Sequence, residues 1–306
     1  MKTFLLFGAN GFIGSNLADY LAKNAKIVAI DTYNKKPIFR RSENIEILKV
    51  DLLKDIKKLI RLAQSSVGGV VWAVGGTVPA DRVGEHKEIL EILRPTIELM
   101  EIFIKKQVPL IFLSSAGMLY HPGKTALTEN SEIDVWTWYG LQKLVIEKSL
   151  LMLAKEYENK NVKILRISSA YGPRQPWDRE QGVVAKLFRS VIKKEPFVLY
   201  GSEIARRDYV YVEDLCRIID GFLNQSTDYT VYNIATGRGH TIKGVRKLIE
   251  KISQNKIRLI KQTRRDVDPY HIDISSKRFF KEFSKFKFTS LEDGLLRTYD
   301  WYKGLL

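Results

Sequence analysis

A glycine-rich turn near the amino terminus restricts the fold of this chain more than any other stretch. In the segment FLLFGANGFIG, residues 4–14, an apolar run stops at Gly8 and glycines recur at Gly11 and Gly14. The pattern predicts a strand, a tight bend at Gly8 and a helix that packs closely on the strand at Gly14. Gly11 lets the backbone approach a pyrophosphate, which the amino-terminal end of the helix attracts. Glycines also mark ordinary turns, so the triplet alone leaves both interpretations open.

An acidic residue follows this turn at the spacing that a dinucleotide site requires. A second apolar run ends in Asp31, seventeen residues after Gly14. A carboxylate at about this distance hydrogen-bonds the adenosine ribose hydroxyls and repels a 2′-phosphate, which favours NAD over NADP. Lys35 and Lys36 follow closely and weaken that preference. The alternative is that Asp31 is only a helix cap or a turn residue.

Apolar runs alternate with helix-period segments along most of the chain. Strands are predicted near residues 2–7, 26–31, 45–50, 69–74, 108–114 and 162–168. This βαβ alternation predicts an α/β fold, with a doubly wound parallel sheet and helices on both of its faces.

Two of these runs end in residues that suit a dinucleotide. Asp51 follows the third run and precedes Leu52. It either accepts a hydrogen bond from an adenine amino group or caps a helix over residues 54–61. The fourth run, VVWAVGG, ends in small residues that include Ala73, as expected where the backbone passes beside a bound dinucleotide.

A tyrosine and a lysine four residues apart are the candidate catalytic pair. The fifth run delivers Ser114 and Ser115 to the carboxyl end of a strand, and the segment WTWYGLQK then opens a helix with Tyr139 and Lys143 on one face. A free phenol has a pKa of about 10, so a neighbouring ammonium and a nicotinamide cation are needed to make it a base near neutral pH. The same spacing at Tyr120 is interrupted by Pro122 and Gly123, and a third pair at Tyr299 follows no strand.

Composition narrows the class of protein. Hydrophobic residues make up 45% of the 306-residue chain, enough for one large α/β core with a smaller lobe. No apolar run approaches the roughly 18–20 residues that span a bilayer, and the chain enters a strand at once, so we expect a cytoplasmic protein. One cysteine and four scattered histidines predict neither a disulfide nor a metal site.

The charge of the chain suits an anionic ligand. The formal net charge is +15, which fits nucleotides or sugar phosphates. The basic residues are spread along the chain, which predicts a solvated surface, no nucleic-acid partner and at most a peripheral attraction to anionic lipid.

Two helices are apolar around more of their circumference than one core requires. The helix near residues 86–106 and the helix near residues 139–157 show this pattern, which predicts burial on both sides. We therefore expect both to pair with their copies across a two-fold axis in a homodimer. Coverage by a second lobe is the alternative.

Several motifs in order resemble the extended short-chain dehydrogenase/reductases of the NAD-dependent epimerase/dehydratase family. The matching segments cover nearly the whole chain: GANGFIG at Gly8, Asp31, Asp51-Leu52, SSAGMLY, Tyr139 with Lys143, LRISSAYGPRQ at Leu165, RRDYVYVEDL at Arg206 and YNIATG at Tyr232. The segment GPRQPWDREQGVVAKLF most resembles UDP-sugar 4-epimerases of surface-polysaccharide pathways.

The resemblance implies a fold and a set of site residues. It implies an NAD-binding Rossmann domain over residues 1–170, to which residues 205–238 return, and a nucleotide-sugar lobe over residues 171–204 and 239–306. The residues implied to bind NAD are Gly8, Gly11, Phe12, Ile13, Gly14, Asp31, Asp51, Leu52, Ala73, Tyr139 and Lys143. The implied substrate residues are Ser115, Arg207 of the RRDYVYV segment and Arg265 or its neighbour Arg264.

One catalytic position departs from the family pattern. Ala116 stands where the catalytic serine or threonine usually lies, so Ser115 is expected to supply the hydroxyl beside Tyr139 and Lys143. The loop lacks the Asp-Glu pair of dehydratases and the glutamate of decarboxylases, because Gly117 and Met118 stand there. The resemblance therefore implies C4 epimerisation of a UDP-sugar; the alternatives are a 4-keto reductase of a nucleotide-linked deoxysugar and a non-catalytic dinucleotide-binding protein.

Overall fold

Twelve strands and nine helices make up the part of the chain that the structure describes. The structure is a computed structural model, and it describes residues 1–75, 86–120, 126–179, 182–265 and 273–304. The strands are β1 (Thr3–Phe7), β2 (Lys26–Asp31), β3 (Ile45–Lys49), β4 (Gly69–Trp72), β5 (Leu110–Ser115), β6 (Val162–Ile167), β7 (Ser169–Tyr171), β8 (Phe197–Tyr200), β9 (Arg206–Tyr211), β10 (Val231–Ile234), β11 (Gly239–Thr241) and β12 (Leu259–Gln262). The helices are α1 (Phe12–Leu21), α2 (Ile56–Gln64), α3 (His86–Lys105), α4 (Trp138–Glu156), α5 (Val183–Lys193), α6 (Val212–Asn224), α7 (Ile242–Ser253), α8 (Lys277–Glu282) and α9 (Leu291–Lys303).

Seven parallel strands form the large sheet, in the order β3-β2-β1-β4-β5-β6-β10. The predicted doubly wound parallel sheet is confirmed. The chain order reverses between β1 and β4, and ligands of open α/β sheets bind in the crevice at such a point. The six predicted strands match the first six strands of the structure to within two residues at either end.

Helices cover both faces of the large sheet, because its strands are apolar on both sides. On one face the core includes Leu17 of α1 and Leu215 of α6. On the other face it includes Leu59 of α2, Phe103 of α3 and Leu150 of α4. Among the helices of the described residues, none is both long enough and apolar enough to cross a membrane.

A smaller lobe has its own core. It holds a three-stranded sheet of β11, β9 and β7, a parallel pair of β12 and β8, and the helices α5, α7 and α9. Helix α8 lies within the range predicted for this lobe, but its Phe279 is buried in the core beneath the large sheet. The division of the chain into two domains stays a prediction.

Candidate functional site

A cavity of about 370 Å³ lies at the carboxyl ends of β4, β5 and β6, against the smaller lobe. It brings together nine of the residues singled out in the sequence: Phe12, Ile13, Ala73, Ser115, Tyr139, Lys143, Arg207, Arg264 and Arg265. These residues come from six separate stretches of the chain, so the fold and not sequence proximity assembles them. The remaining predicted residues lie outside the lining of this cavity: Gly8, Gly11, Gly14, Asp31, Asp51 and Leu52.

The glycine turn lies at the switch point of the sheet and has no room for side chains. Gly8 has a φ of 78°, and a β-carbon there would come within 2.7 Å of the Ala73 backbone at the end of β4. A β-carbon at Gly14 would overlap the carbonyl oxygen of Gly8. The strand-to-helix turn is therefore held tightly against the neighbouring strand, and the first two residues of α1, Phe12 and Ile13, line the cavity.

Asp31 is fixed at the end of β2 beside this turn. Its carboxylate accepts hydrogen bonds from the backbone N–H groups of Asn10, at 2.9 Å, and Thr32, at 2.8 Å. The Asn10 side chain donates to the carbonyl oxygens of Lys35 and Lys36. Asn10 thus holds the loop that carries both lysines close to the turn, a contact that its position between two glycines did not reveal.

Asp51 shapes the turn that precedes α2. One of its carboxylate oxygens accepts from the backbone N–H of Leu53 at 2.9 Å. The helix begins at Ile56 with Asp55 at the N-cap position, so the alternative that Asp51 caps the helix is wrong. Leu52 packs partly buried against the core of the α2–α4 face.

The amino-terminal turn of α4 places Tyr139 and Lys143 on the cavity wall. The Thr137 side chain caps this helix by accepting from Gly140 N–H at 3.0 Å. Lys143 is buried, and its Nζ donates to the carbonyl oxygens of Leu113, at 2.9 Å, and Val74, at 3.3 Å. The same Nζ lies 5.8 Å from the centroid of the Tyr139 ring.

Ser115 lines the cavity together with Tyr139, and its side chain acts to lower the pKa of that phenol. Ala116, the next residue, is fully buried in a small apolar cluster with Tyr120 and Leu127 and does not line the cavity. The alternation of side chains along β5 therefore presents Ser115, and not residue 116, to the tyrosine.

Burial shifts the pKa values of both members of this pair. It raises the pKa of Tyr139 above its usual value, and the Ser115 side chain offsets this only in part. Burial lowers the pKa of Lys143 to about 8, although the Glu147 carboxylate acts in the opposite direction. In the chain by itself, desolvation of the phenolate dominates the pKa of Tyr139. That the Lys143 ammonium and a nicotinamide cation together make this phenol acidic stays a prediction.

The smaller lobe contributes arginines to the same cavity. Arg207 is the second residue of β9, and its Nη1 donates to the carbonyl oxygen of Arg206 at 2.8 Å. Arg264 and Arg265 follow β12, and the Arg265 guanidinium lies 4.7 Å from the centroid of the Tyr200 ring. Two further lining residues were missed in the sequence: Gln175, which follows β7, and Lys186 of α5. A lysine within an amphipathic helix carries no signal that separates it from a surface lysine.

Comparisons with known proteins show what this chain is similar to. The sequence model described as the NAD dependent epimerase/dehydratase family matches residues 4–235. A putative UDP-glucose 4-epimerase of Methanocaldococcus jannaschii is 27% identical over 312 residues, which cover 98% of each chain. A dTDP-4-dehydro-6-deoxyglucose reductase of Escherichia coli is 27% identical over 256 residues, 81% of this chain and 80% of the relative. The crystal structure of the UDP-glucose 4-epimerase of Thermotoga maritima with UDP-glucose superposes with a TM-score of 0.89 at 25% identity, covering 99% of both chains.

Proposed function

The chain belongs to the NAD-dependent epimerase/dehydratase family, and on that premise we propose that it epimerises a UDP-sugar at C4 through a 4-keto intermediate. The observation that carries the proposal is that Ser115, Tyr139 and Lys143 line one cavity together with three arginines. A tyrosine that can exchange a proton with a sugar hydroxyl thus shares one cavity with guanidinium groups that suit a diphosphate. The similarity to UDP-glucose 4-epimerases supports this reaction class.

NAD is the cofactor of this family, and the glycine turn fits it. Gly8 and Gly14 let the turn pack tightly against β4 and against itself, which places the amino terminus of α1 at the carboxyl edge of the sheet, where a pyrophosphate is stabilised. We assign the pyrophosphate to residues 8–14, the adenosine ribose to Asp31, and further contacts to Asp51, Leu52 and Ala73. Bound NAD supplies the acceptor and donor of a hydride, and the remaining tasks fall to the side chains.

Each residue of the catalytic group has one task. Tyr139 accepts the proton of the C4 hydroxyl and later returns a proton to the same oxygen, and Ser115 orients that oxygen. Lys143 stabilises the phenolate by its positive charge, which the raised pKa of the buried phenol makes necessary. Arg207 and Arg265 hold the diphosphate while the 4-keto sugar turns over, so that C4 regains its hydroxyl with the opposite configuration.

The test is Tyr139→Phe with a matched control. Removal of the phenol oxygen should lower kcat by about 10²- to 10⁴-fold, the usual contribution of a general acid–base, while NAD remains bound. Tyr299→Phe is the control, because Tyr299 also precedes a lysine by four residues but lies on α9, outside the cavity lining. The proposal fails if UDP-hexoses are not interconverted by the wild type, or if Tyr139→Phe turns over as fast as Tyr299→Phe. A wild type that binds NAD but interconverts no UDP-hexose, and whose NAD binding is unchanged by Tyr139→Phe, would identify the non-catalytic alternative.

A 4-keto reductase is the second candidate, favoured by the similarity to the E. coli reductase. It would use the same tyrosine as the proton donor to a keto-sugar. Reduction would consume one NAD(P)H for each sugar and exchange the cofactor in every turnover. Epimerisation leaves the cofactor balance unchanged, so stoichiometry at 340 nm separates the two activities.

We extend the proposal to the assembly and place of the protein. The helices α3 and α4 pack side by side, and α4 exposes Leu141 and, to 72% of its surface, Met152. We propose that this helix pair is the contact of a homodimer, that the enzyme is cytoplasmic, and that it supplies sugars for surface polysaccharides.

A further inference from the structure

Helix α4 carries a third polar residue in line with the catalytic pair. Tyr139, Lys143 and Glu147 follow one another at intervals of four residues and therefore lie along one face of the helix. Glu147 is only 1% exposed and points between α4 and the large sheet, where Arg166 of β6, 3% exposed, meets it. The reaction proposed above gives this buried ion pair no task.

The two side chains are joined by a forked contact. Nε of Arg166 donates to both carboxylate oxygens of Glu147, at 3.1 and 3.0 Å, and Nη2 donates to Oε2 at 2.7 Å. The remaining Nη1 donates to the hydroxyl of Tyr120 at 2.8 Å, and that hydroxyl donates to Oδ1 of Asn233 at 2.6 Å. The position of the carboxylate is thus fixed by a network that spans β6, β10 and the segment after β5.

Stability is a poor explanation for this pair. Two charges withdrawn from water cost about as much as their attraction returns, and well-packed apolar residues often replace such pairs without loss. Attraction to Glu147 does outweigh burial at Arg166 and raises the pKa of the guanidinium, so the arginine keeps its charge in the core. A fixed negative charge one helical turn from Lys143 is the consequence.

Burial disfavours the charged form of Lys143, and a nearby negative charge counteracts this effect. Its ammonium is 4% exposed, is surrounded by the carbonyl oxygens of Leu113 and Val74, and lies 4.8 Å from the centroid of the Phe112 ring. The titratable groups that face it are Tyr139 and Glu147 on its own helix and, behind Glu147, Arg166 on β6. Burial lowers its pKa to about 8, and Glu147 is the group that resists this decrease.

We propose that Glu147, held in place by Arg166, is a positioning residue that keeps Lys143 cationic beneath Tyr139. The fork of Arg166 prevents the carboxylate from swinging to Lys143 and bonding it directly. Lys143 therefore stays on its two carbonyl oxygens, within reach of a ligand in the cavity. This inference rests on the proposed function, because it explains why the charge of Lys143 is maintained.

The test measures the titration of Lys143 in the ligand-free, full-length chain. Lysines labelled with ¹³C at Cε are followed by NMR, and the Lys143 signal is identified by its loss in Lys143→Met. In Glu147→Gln the midpoint should fall below that of the wild type by about one unit or more, a tenfold change in the protonation constant. Glu156→Gln, an exposed glutamate at the end of α4, should leave it unchanged.

A second variant covers the case in which Glu147→Gln fails to fold, since it leaves Arg166 buried without its partner. Glu147→Gln combined with Arg166→Met removes both charges, and its Lys143 midpoint should also lie below that of the wild type. If the midpoint in the folded variants coincides with that of the wild type, the proposal is overturned and the pair is structural. The titration uses no substrate, so it stands or fails independently of whether Tyr139→Phe abolishes epimerisation.

Discussion

Replacement of Lys143 by methionine should change how the stability of the protein depends on pH. Methionine keeps the apolar length of the side chain and removes the ammonium. The pKa of Lys143 falls from 10.5 to about 8 on folding. Between these values the unfolded chain binds more protons than the folded chain, so the wild type gains stability as pH rises through this window and loses it as pH falls towards 8.

The magnitude follows from the two pKa values. A shift from 10.5 to about 8 costs the folded protein about 3 kcal/mol near pH 7, where lysine is protonated in both states. Near pH 9.5 the folded chain has released most of this proton, and the remaining cost is about 1 kcal/mol. The free energy of unfolding of the wild type, taken relative to Lys143→Met, should therefore rise by about 2 kcal/mol between these conditions.

Urea unfolding followed by tryptophan fluorescence measures this difference. Other titrating groups act equally in both proteins and cancel in the comparison. Lys148→Met serves as the control, because Lys148 is exposed on the same helix, and its difference from the wild type should be flat across the same range. A constant difference between the wild type and Lys143→Met would refute the claim that burial holds this lysine at a lowered pKa.

Two further predictions concern the cofactor and the assembly. Asp31→Ala should weaken NAD binding by roughly 10- to 100-fold, the contribution of a hydrogen bond to a charged group, and should reduce the preference for NAD over NADP. Calorimetric titration with both cofactors measures the two affinities. An equal loss of affinity for NAD and NADP would show that Asp31 does not bind the ribose. Met152→Glu places a charge on the exposed apolar face of α4 and should convert a dimer to monomers in analytical ultracentrifugation. The control Lys155→Glu changes an exposed neighbour on the same helix and should leave the dimer intact. A dimer that survives Met152→Glu would place the contact elsewhere.

The sequence predicts those parts of the fold that depend on local periodicity. Buried parallel strands are apolar on both faces, so each run from β1 to β6 stands out from its neighbours. The Gly8–Gly14 pattern also succeeds, because the structure gives a β-carbon no room at either position. Tyr139 and Lys143 could be paired because four residues in a helix fix their relation before any tertiary contact is known.

The electrostatics of the site could not be predicted in the same way. The direction of the pKa shift of Tyr139 depends on how deeply α4 sinks against the sheet, and this depth is a property of packing. Asn10 holds the Lys35–Lys36 loop only because the turn and the loop after β2 meet in space. The position of helix α8 could not be predicted either. Its Phe279 packs into the core of the large sheet, although the last strand of that sheet, β10, already ends at Ile234.

The position of Tyr120 in the fold gives it a role that the spacing of residues in the sequence does not indicate. The sequence excludes it as a catalytic base, because Pro122 and Gly123 interrupt the interval to Lys124, which lies outside the described residues. In the fold its hydroxyl instead supports Arg166, which aligns with Ser114 across β5 and β6 and fixes Glu147 one turn beyond Lys143. The motifs SSAGMLY, LRISS and YNIATG, which are separate in sequence, thus end in one buried network. The members of this network, Tyr120, Glu147, Arg166 and Asn233, lie outside the cavity lining. A substitution of any of them should nevertheless act on the proposed reaction, through the charge of Lys143.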